Sequence, residues 1–110
     1  MSFEAIATDR FERNLRRFRK KYASIDDDYE RLLDELESTP SLGNALGRGC
    51  FKVRMHIKSK NTGKSGGARV ITCVKIVDEK IYLLTIYDKS EQSTITDKER
   101  DELLKENGLL

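Results

Sequence analysis

Histidine, tryptophan, proline and cysteine are scarce in this 110-residue sequence, which has one His, no Trp, one Pro and two Cys. A metal centre needs clustered His, Cys or carboxylate ligands, so the sequence predicts no bound metal, and nothing in it signals another cofactor. The first residues lack the basic region and apolar run of a secretory signal, and no segment approaches the roughly 20 apolar residues of a membrane span. We therefore expect a soluble cytoplasmic protein that forms a single domain over residues 1–110.

The two cysteines, Cys50 and Cys73, lie in apolar alternating runs. No other ligand group accompanies them at metal-binding spacing, and the sequence shows no export signal. Cysteines in this setting are usually buried free thiols. A disulfide and a metal site are the alternatives.

Acidic residues are absent between Glu37 and Asp78. The same stretch carries eight basic residues, whereas the rest of the chain has thirteen basic and nineteen acidic ones. The net charge is only +2, and a nearly balanced composition rarely leaves so long a stretch without acid. This separation of charge indicates a negatively charged partner such as RNA. A lysine-rich sheet face that is merely solvated is the alternative.

Apolar periodicity predicts an α+β fold in the order strand, two helices, three strands, helix. Residues 3–7 indicate a short N-terminal strand. Two capping boxes, Asp9 with Glu12 and Ser24 with Asp27, predict the starts of two helices. The short connection between these helices predicts an antiparallel helical hairpin.

The second half of the sequence predicts a sheet and a final helix. Three glycines mark residues 41–49 as a loop. Residues 68–77 and 81–88 are nearly continuous apolar runs, which predict an antiparallel hairpin at the centre of the sheet. A third capping box, Thr96 with Glu99, predicts a short C-terminal helix.

The segment of residues 50–58, CFKVRMHIK, alternates between apolar and basic side chains. Side chains two residues apart in a strand share a face, so this pattern predicts a strand with one buried and one outward face. The buried set is predicted to be Phe51, Val53, Met55 and Ile57. The outward row is Lys52, Arg54, His56 and Lys58. Burial of one face requires only that the other be polar, so a wholly basic row indicates a binding role.

Cleavage of RNA is a reaction that such a row suits. RNA carries its own nucleophile, the 2′-hydroxyl, so an enzyme needs only to align the strand, neutralise the phosphate and supply a base and an acid. Imidazole titrates nearest to neutral pH, which makes His56 a candidate base or acid, with an ordinary surface histidine as the alternative. The glycines of GKSGG lack the full spacing of a phosphate-binding loop, and no nucleophile elbow is present.

The run GKSGGARVITCVKIVDEKIYLLTIYDKSEQSTIT, preceded by FKVRMHIKSK and by KKYASIDDDYERLLDEL, resembles the RelE/HigB branch of the RelE/ParE toxins of bacterial toxin–antitoxin systems. The resemblance covers nearly the whole chain. It implies a RelE-like fold and a metal-independent endoribonuclease, an mRNA interferase that enters the ribosomal A site and cuts messenger RNA. It also implies a cognate antitoxin, the small ribosomal subunit with its rRNA, and mRNA as partners, and no membrane.

The resemblance also implies roles for particular residues. Binding and cleavage of the message fall to Lys52, Arg54, Arg69 and Lys89. Some family members use a tyrosine near the C terminus as the base, where this sequence has Thr94 or Ile95, so His56, a lysine or Tyr87 must serve instead. The candidate catalytic set is therefore Lys52, Arg54, His56, Arg69, Tyr87 and Lys89. The candidates for binding RNA or the ribosome are Lys58, Lys60, Lys64, Arg16, Arg17 and Lys20.

Two other functions compete with RNA cleavage. ParE-like proteins of the same superfamily inhibit DNA gyrase without catalysis, and such an inhibitor is the leading alternative. The dense cation row favours cleavage, because a gyrase inhibitor has no scissile phosphate to neutralise. A non-catalytic RNA-binding module would present exposed aromatic pairs for base stacking, whereas Phe51 is predicted to face the core.

Overall fold

The computed structural model describes residues 3–60 and 66–110. This part of the chain contains five strands, three helices and a 3₁₀ turn at Lys58–Lys60. The strands are β1 (Glu4–Ala7), β2 (Asn44–Gly47), β3 (Cys50–Met55), β4 (Ala68–Lys75) and β5 (Lys80–Asp88). The helices are α1 (Asp9–Lys21), α2 (Ile25–Ser38) and α3 (Asp97–Glu106). The predicted α+β class is confirmed, with one strand more than expected.

The strands form one sheet in the order β1-β5-β4-β3-β2. β1 runs parallel to β5, and every other neighbouring pair is antiparallel. β4 and β5 lie in the middle, as their nearly continuous apolar runs predict. Both faces of these two strands are buried, so both faces of the sheet must be covered.

Helices α1 and α2 cover one face of the sheet. The apolar side chains of β3 point into this layer: Val53, Met55 and Ile57 are buried there, and Phe51 packs against it. The alternation predicted for residues 50–58 is therefore confirmed. The regular strand ends at Met55, so only Lys52 and Arg54 of the predicted outward row lie within β3.

Helix α3 covers part of the opposite face. Its Leu103 and Leu104 pack against a second apolar cluster, which contains Cys50, Ile71, Cys73, Leu84 and Tyr87. This is the face toward which the basic side chains of β3 point, because they alternate with the buried ones. The outward row therefore lies beside a helix rather than on an open sheet surface.

The prediction of a loop over residues 41–49 is wrong, because Asn44–Gly47 forms the edge strand β2. Its register on β3 is interrupted by a bulge between Ala45 and Gly47. An edge strand needs only one neighbour, and it tolerates glycine where it bends. Gly43 has a φ of 101°, and a Cβ on this residue would clash with the carbonyl oxygen of Lys52, so the glycine permits the close approach of the two strands.

The helices begin differently from two of the three predicted capping boxes. α1 is capped by Thr8 rather than Asp9: the Thr8 hydroxyl accepts from the Phe11 amide at 3.3 Å and donates to the Leu83 carbonyl at 2.9 Å. Ser24 precedes α2 but makes no side-chain cap bond. The box of Thr96 and Glu99 is confirmed. No helix in the described ranges is long and apolar enough to cross a membrane.

Candidate active site

Three side chains of the predicted site stand in register across three strands. Arg54 of β3 is the Cα partner of Arg69 of β4, and Arg69 is the partner of Tyr87 of β5. Partners on neighbouring strands share a face, with Cβ atoms about 5 Å apart. Arg54, Arg69 and Tyr87 therefore form one line across the face that α3 partly covers, and we call them the cross-strand row.

A β-bulge places Tyr87 in the cross-strand row. Ile71 pairs with Thr85 but Thr72 pairs with Leu83, so Leu84 is an extra residue in β5. Before the bulge, the side chains of Ile81 and Leu83 point toward α1 and α2; after it, Tyr87 points to the other face. An uninterrupted strand would have put Tyr87 on the same face as Ile81. The bulge therefore places the phenol of Tyr87 on the same face of the sheet as Arg69, its neighbour on β4.

Arg69 is a nearly buried cation, with only 5% of its surface exposed. Its Nη1 atom donates to the carbonyl oxygen of Ala68 at 3.0 Å, and among the described residues no carboxylate lies within ion-pair distance of it. Burial lowers the pKa of Arg69, and repulsion from Arg54 lowers it further. A buried charge without a counterion is costly, so an anion that reaches this guanidinium is strongly favoured.

Tyr87 provides a neutral donor beside that cation. Its hydroxyl is buried and has no hydrogen-bond partner in the described part of the chain. Burial raises the pKa of Tyr87, the charge of Arg69 opposes the change, and Glu99 adds to it. The phenol is therefore protonated at neutral pH, and its O–H group is available to an incoming ligand.

Lys52 and Lys89 extend the positive face around the cross-strand row. Lys52 lies two residues before Arg54, and its Nζ is 3.5 Å from the Ser93 carbonyl oxygen in the loop after β5. Lys89 follows β5 directly, and its backbone amide donates to Gly67 at 3.2 Å. This bond continues the β4–β5 ladder, so Lys89 lies beside the start of β4, two residues from Arg69.

His56 and Lys58 lie beyond the end of β3. Both side chains are exposed, and the backbone amide of Lys58 donates to the buried carboxylate of Asp28 at 3.2 Å. The backbone of His56 passes close to Gly67, the residue before β4. The predicted row of four is therefore continuous in sequence but turns away from the sheet after Arg54.

The structure gives Lys60 a structural contact. Its Nζ is 2.7 Å from Oδ1 of Asp88, and its side chain is only 15% exposed. Asp88 also accepts from Ser90 and from the hydroxyl of Tyr22. Burial by itself would raise the pKa of Asp88, but these hydrogen bonds outweigh it and hold the pKa well below its ordinary value. Lys60 thus neutralises an internal acid instead of facing a ligand.

Three of the other predicted binding residues, Arg16, Arg17 and Lys20, are exposed on α1, the helix that packs on the opposite face of the sheet. Of these three, Arg17 lines a groove in whose wall Tyr87 also lies, whereas Arg16 and Lys20 do not line it. Lys64 lies outside the described residues.

A groove of about 560 Å³ separates α1 from α3 along β5, and Tyr87 lies in its wall. Basic residues of α1, Arg10 and Arg17, line one side, and acidic residues of α3, Glu99 and Glu102, line the other. Arg10 bridges the two helices through both oxygens of Glu106, at 2.7 and 2.8 Å. Because its walls carry opposite charges, the groove suits a polyanion less well than the surroundings of Arg54 and Arg69 do.

The sequence predicted the C-terminal helix but not that it shares a face of the sheet with the cross-strand row. A signal was present, since β4 and β5 are apolar at consecutive positions, and such strands require a cover on both sides. Glu99 of α3, which raises the pKa of Tyr87, was predicted only as part of a capping box. That Glu99 also lies near the phenol of Tyr87 depends on how α3 packs against the sheet.

The fold and this face together define a small α+β protein with a cationic row on one side of its sheet. A solved structure of a mutant of the E. coli toxin RelE in the free state matches it with a TM-score of 0.62 at 16% sequence identity. The match covers 96% of this chain and 98% of that one. At this identity the likeness shows the fold.

A family model described as the RelE toxin of the RelE/RelB toxin–antitoxin system matches residues 11–108. The chain belongs to the RelE toxin family. Membership of this family makes it the toxin of a toxin–antitoxin pair and implies a cognate antitoxin of RelB type. The resemblance seen in the sequence is thereby confirmed.

Proposed function

We propose that this toxin is an mRNA interferase, which blocks translation by cleaving messenger RNA in the ribosomal A site. The observation that supports this proposal is the cross-strand row, in which the buried Arg69 lies between the exposed Arg54 and the phenol of Tyr87. Within residues 3–60 and 66–110, Arg69 has no counterion and the phenol has no hydrogen-bond partner. Such an arrangement lowers the stability of the free protein, and a bound phosphate would supply the missing partner of both side chains.

Cleavage proceeds by attack of the RNA 2′-hydroxyl oxygen on the adjacent phosphorus, with no metal ion required. The bond from phosphorus to the 5′-oxygen breaks, the departing oxygen takes a proton, and the products end in a 2′,3′-cyclic phosphate and a 5′-hydroxyl. Negative charge builds on the non-bridging oxygens as the fifth bond to phosphorus forms. Arg69 is buried and Arg54 is exposed. The two guanidiniums therefore bind these oxygens from the buried and the exposed side of the row. Donors that are already in place and shielded from water stabilise such charge most effectively.

Two proton transfers accompany the attack. Tyr87 is neutral and its hydroxyl has no partner in the described structure, so it donates a hydrogen bond or a proton to an oxygen of the reacting phosphate. The base that accepts the proton of the 2′-hydroxyl is assigned to the residues that flank Arg54, Lys52 and His56.

Binding of the ribosome and the message is assigned to the exposed cations outside the row. Lys89 lies near the Tyr87 end of the row, Lys58 lies beyond the end of β3, and Arg16, Arg17 and Lys20 form a second basic surface on α1. Contacts of this kind position a nucleic acid through its backbone without reading its sequence. Translating ribosomes are the target, so the protein acts in the cytoplasm, where the antitoxin holds it inactive.

Primer extension on a translated transcript tests the proposal. With purified toxin and ribosomes we expect new 5′ ends within the translated region, and none when ribosomes are omitted. The Arg69→Ala variant should give none in either reaction, while Lys98→Ala, which removes an exposed lysine of α3, should cleave normally. Absence of new ends with a folded, ribosome-bound toxin would overturn the proposal.

A supercoiling assay with DNA gyrase separates the proposal from the ParE-like alternative. We expect no loss of gyrase activity at toxin concentrations that cleave the message. Inhibition of gyrase without any cleavage of RNA would favour the alternative. The row would then serve as a binding surface only.

A further inference from the structure

Cys50 and Cys73 face each other across β3 and β4, as Cα partners in the ladder. The amide of Val74 donates to the carbonyl of Gly49 at 2.8 Å, which makes the adjacent positions a hydrogen-bonded pair. Hydrogen-bonded and non-hydrogen-bonded pairs alternate along an antiparallel ladder, so Cys50 and Cys73 form a non-hydrogen-bonded pair. The Cα atoms of such a pair are about 4.5 Å apart, a separation that a disulfide can span.

The two thiols also point the same way. Both are free and buried, and both belong to the apolar cluster under α3. The Cys50 thiol donates a hydrogen bond to the carbonyl oxygen of Arg48 at 3.9 Å. The neighbouring Cys50 side chain lowers the pKa of Cys73 to about 7 in spite of its burial, and the charge of Lys75 contributes. The pKa of Cys50 is raised by the same contact.

We propose that Cys50 and Cys73 are a redox modification site, which a peroxide converts into a cross-strand disulfide. The site has no part in the RNA chemistry proposed above. The register of β3 on β4 already places the two cysteines opposite each other. Oxidation therefore requires no movement of β3 against β4 and no rearrangement of the sheet.

The reaction with hydrogen peroxide balances in two steps. The Cys73 thiolate attacks one peroxide oxygen, the O–O bond breaks, and the departing hydroxide takes the proton lost by Cys73 and leaves as water. Cys73 then carries a sulfenic acid. The Cys50 sulfur attacks the Cys73 sulfur, the S–S bond forms as the S–O bond breaks, and the hydroxide leaves as a second water with the proton of Cys50. Two electrons pass from the thiols to the peroxide.

The disulfide would join the two strands that carry Arg54 and Arg69. These residues pair on the same face, four positions along each strand from the cysteines. The covalent loop would enclose the basic segment between Cys50 and Cys73, which includes Lys52 and His56. Closing such a loop restricts the unfolded chain, so the oxidised protein should resist unfolding more than the reduced one.

Intact mass spectrometry of the full chain tests the proposal. We treat reduced, native protein with hydrogen peroxide and expect a loss of about 2 Da, reversed by dithiothreitol. Peptide mapping without reduction should recover a linked pair of peptides that contain Cys50 and Cys73. The midpoint of thermal unfolding should rise on oxidation and return on reduction.

Single substitutions identify the order of attack. In Cys50→Ser no second thiol is available, so dimedone should label the sulfenic acid that accumulates at Cys73. In Cys73→Ser the labelling of Cys50 should be several-fold weaker. Circular dichroism confirms that each variant is folded, and Cys50→Ala provides a second version should the serine variant unfold.

Three results would overturn the proposal. They are two intact thiols in native protein after treatment that fully oxidises glutathione in the same tube, a disulfide that forms only in guanidinium, and a disulfide that links two chains. The assay follows only the covalent state of the cysteines. Failure here therefore leaves the proposed RNA cleavage untouched, and failure of RNA cleavage leaves this site untouched.

Discussion

Arg69 and Tyr87 lie directly opposite each other on β4 and β5, and the described structure shows no hydrogen bond between their side chains. The guanidinium has one backbone acceptor, and the phenol has no partner among the described residues. Burial lowers the pKa of Arg69 and raises that of Tyr87, so each is pushed toward its uncharged form. The pair therefore weakens the fold in the absence of an anion, and we propose that a phosphate of the message binds there.

Replacing Arg69 by methionine should stabilise the protein while it inactivates it. Removing a buried charge without a counterion should raise the free energy of unfolding by about 1 kcal/mol. Loss of a preorganised cation should slow single-turnover cleavage by roughly 10²–10³-fold. Urea denaturation and ribosome-dependent cleavage measure the two effects, with Lys98→Met as the control that changes neither. A fully active Arg69→Met protein would remove Arg69 from the catalytic set.

Replacing Tyr87 by phenylalanine should separate the contribution of the hydroxyl to cleavage from the contribution of the ring to packing. The hydroxyl has no hydrogen-bond partner in the part of the chain that the structure describes, so stability should change by less than about 1 kcal/mol, while cleavage should slow by roughly 10²-fold. Tyr82→Phe is the matched control, because Tyr82 packs against the same apolar cluster from the same strand. Equal activity of Tyr87→Phe and Tyr82→Phe would exclude a catalytic role for the Tyr87 hydroxyl.

Replacing Gly67 by alanine should disturb the register of Arg69 with Arg54. Gly67 has a φ of 89°, and a Cβ there would lie 2.7 Å from the Met55 carbonyl oxygen, so the start of β4 would be forced away from β3. Gly108→Ala carries a similar backbone strain, with a φ of 67°, but meets no atom within 4 Å. Gly108→Ala should cost about 1 kcal/mol. Gly67→Ala should cost more and also reduce cleavage, and equal effects in thermal melts and cleavage assays would argue against the clash.

Lys58 and Lys60 should behave differently although they are two residues apart. Lys58→Ala should weaken binding to RNA and lower the slope of log affinity against log salt by about 0.7, as expected for one lost phosphate contact on a single strand. Lys60→Ala should leave that slope unchanged and lower the melting temperature, because Asp88 loses its partner. Salt titrations and melts of both variants test this, and a reduced slope for Lys60→Ala would return Lys60 to the binding surface.

Asp88 should make the protein sensitive to acid. Its pKa is lower in the folded state than in the unfolded chain, so its contribution to stability is complete above about pH 4 and is lost as the pH falls below that value. Asp88→Asn should destabilise the protein by about 3 kcal/mol at neutral pH and flatten the decline in acid. Urea denaturation between pH 2 and pH 7 measures both effects. If the free energy of unfolding of Asp88→Asn declined in acid as steeply as that of the parent, other groups would cause the acid sensitivity.

The sequence was informative where a local period decides the structure. Alternation in residues 50–58 correctly assigned the side chains of β3 to two faces, and apolar runs placed β4 and β5 at the centre. The edge strand β2 was missed because glycine signals a loop and a bulged strand alike. Thr8 was missed as a cap because its hydroxyl is fixed by the carbonyl of Leu83, a contact that no local pattern contains.

The candidate site was less accessible to sequence reasoning, because its geometry depends on distant residues. Strict alternation along β5 would have turned Tyr87 toward α1, and only the extra residue Leu84 reverses this. Lys60 was predicted to bind RNA because it is basic and lies after the row. Its partner Asp88 is 28 positions away, and pairing between them follows from the packing of the 3₁₀ turn against the end of β5.

The parallel pairing of β1 with β5 links the completion of the sheet to the synthesis of β5. β1 cannot join the sheet until β5 has been made, and the inner strands β4 and β5 are made after β1, β2 and β3. A growing chain that stops before β5 already carries Lys52, Arg54 and Arg69 but has neither Tyr87 nor Lys89 to complete their surroundings. The complete cationic face therefore exists only after the ribosome has translated β5.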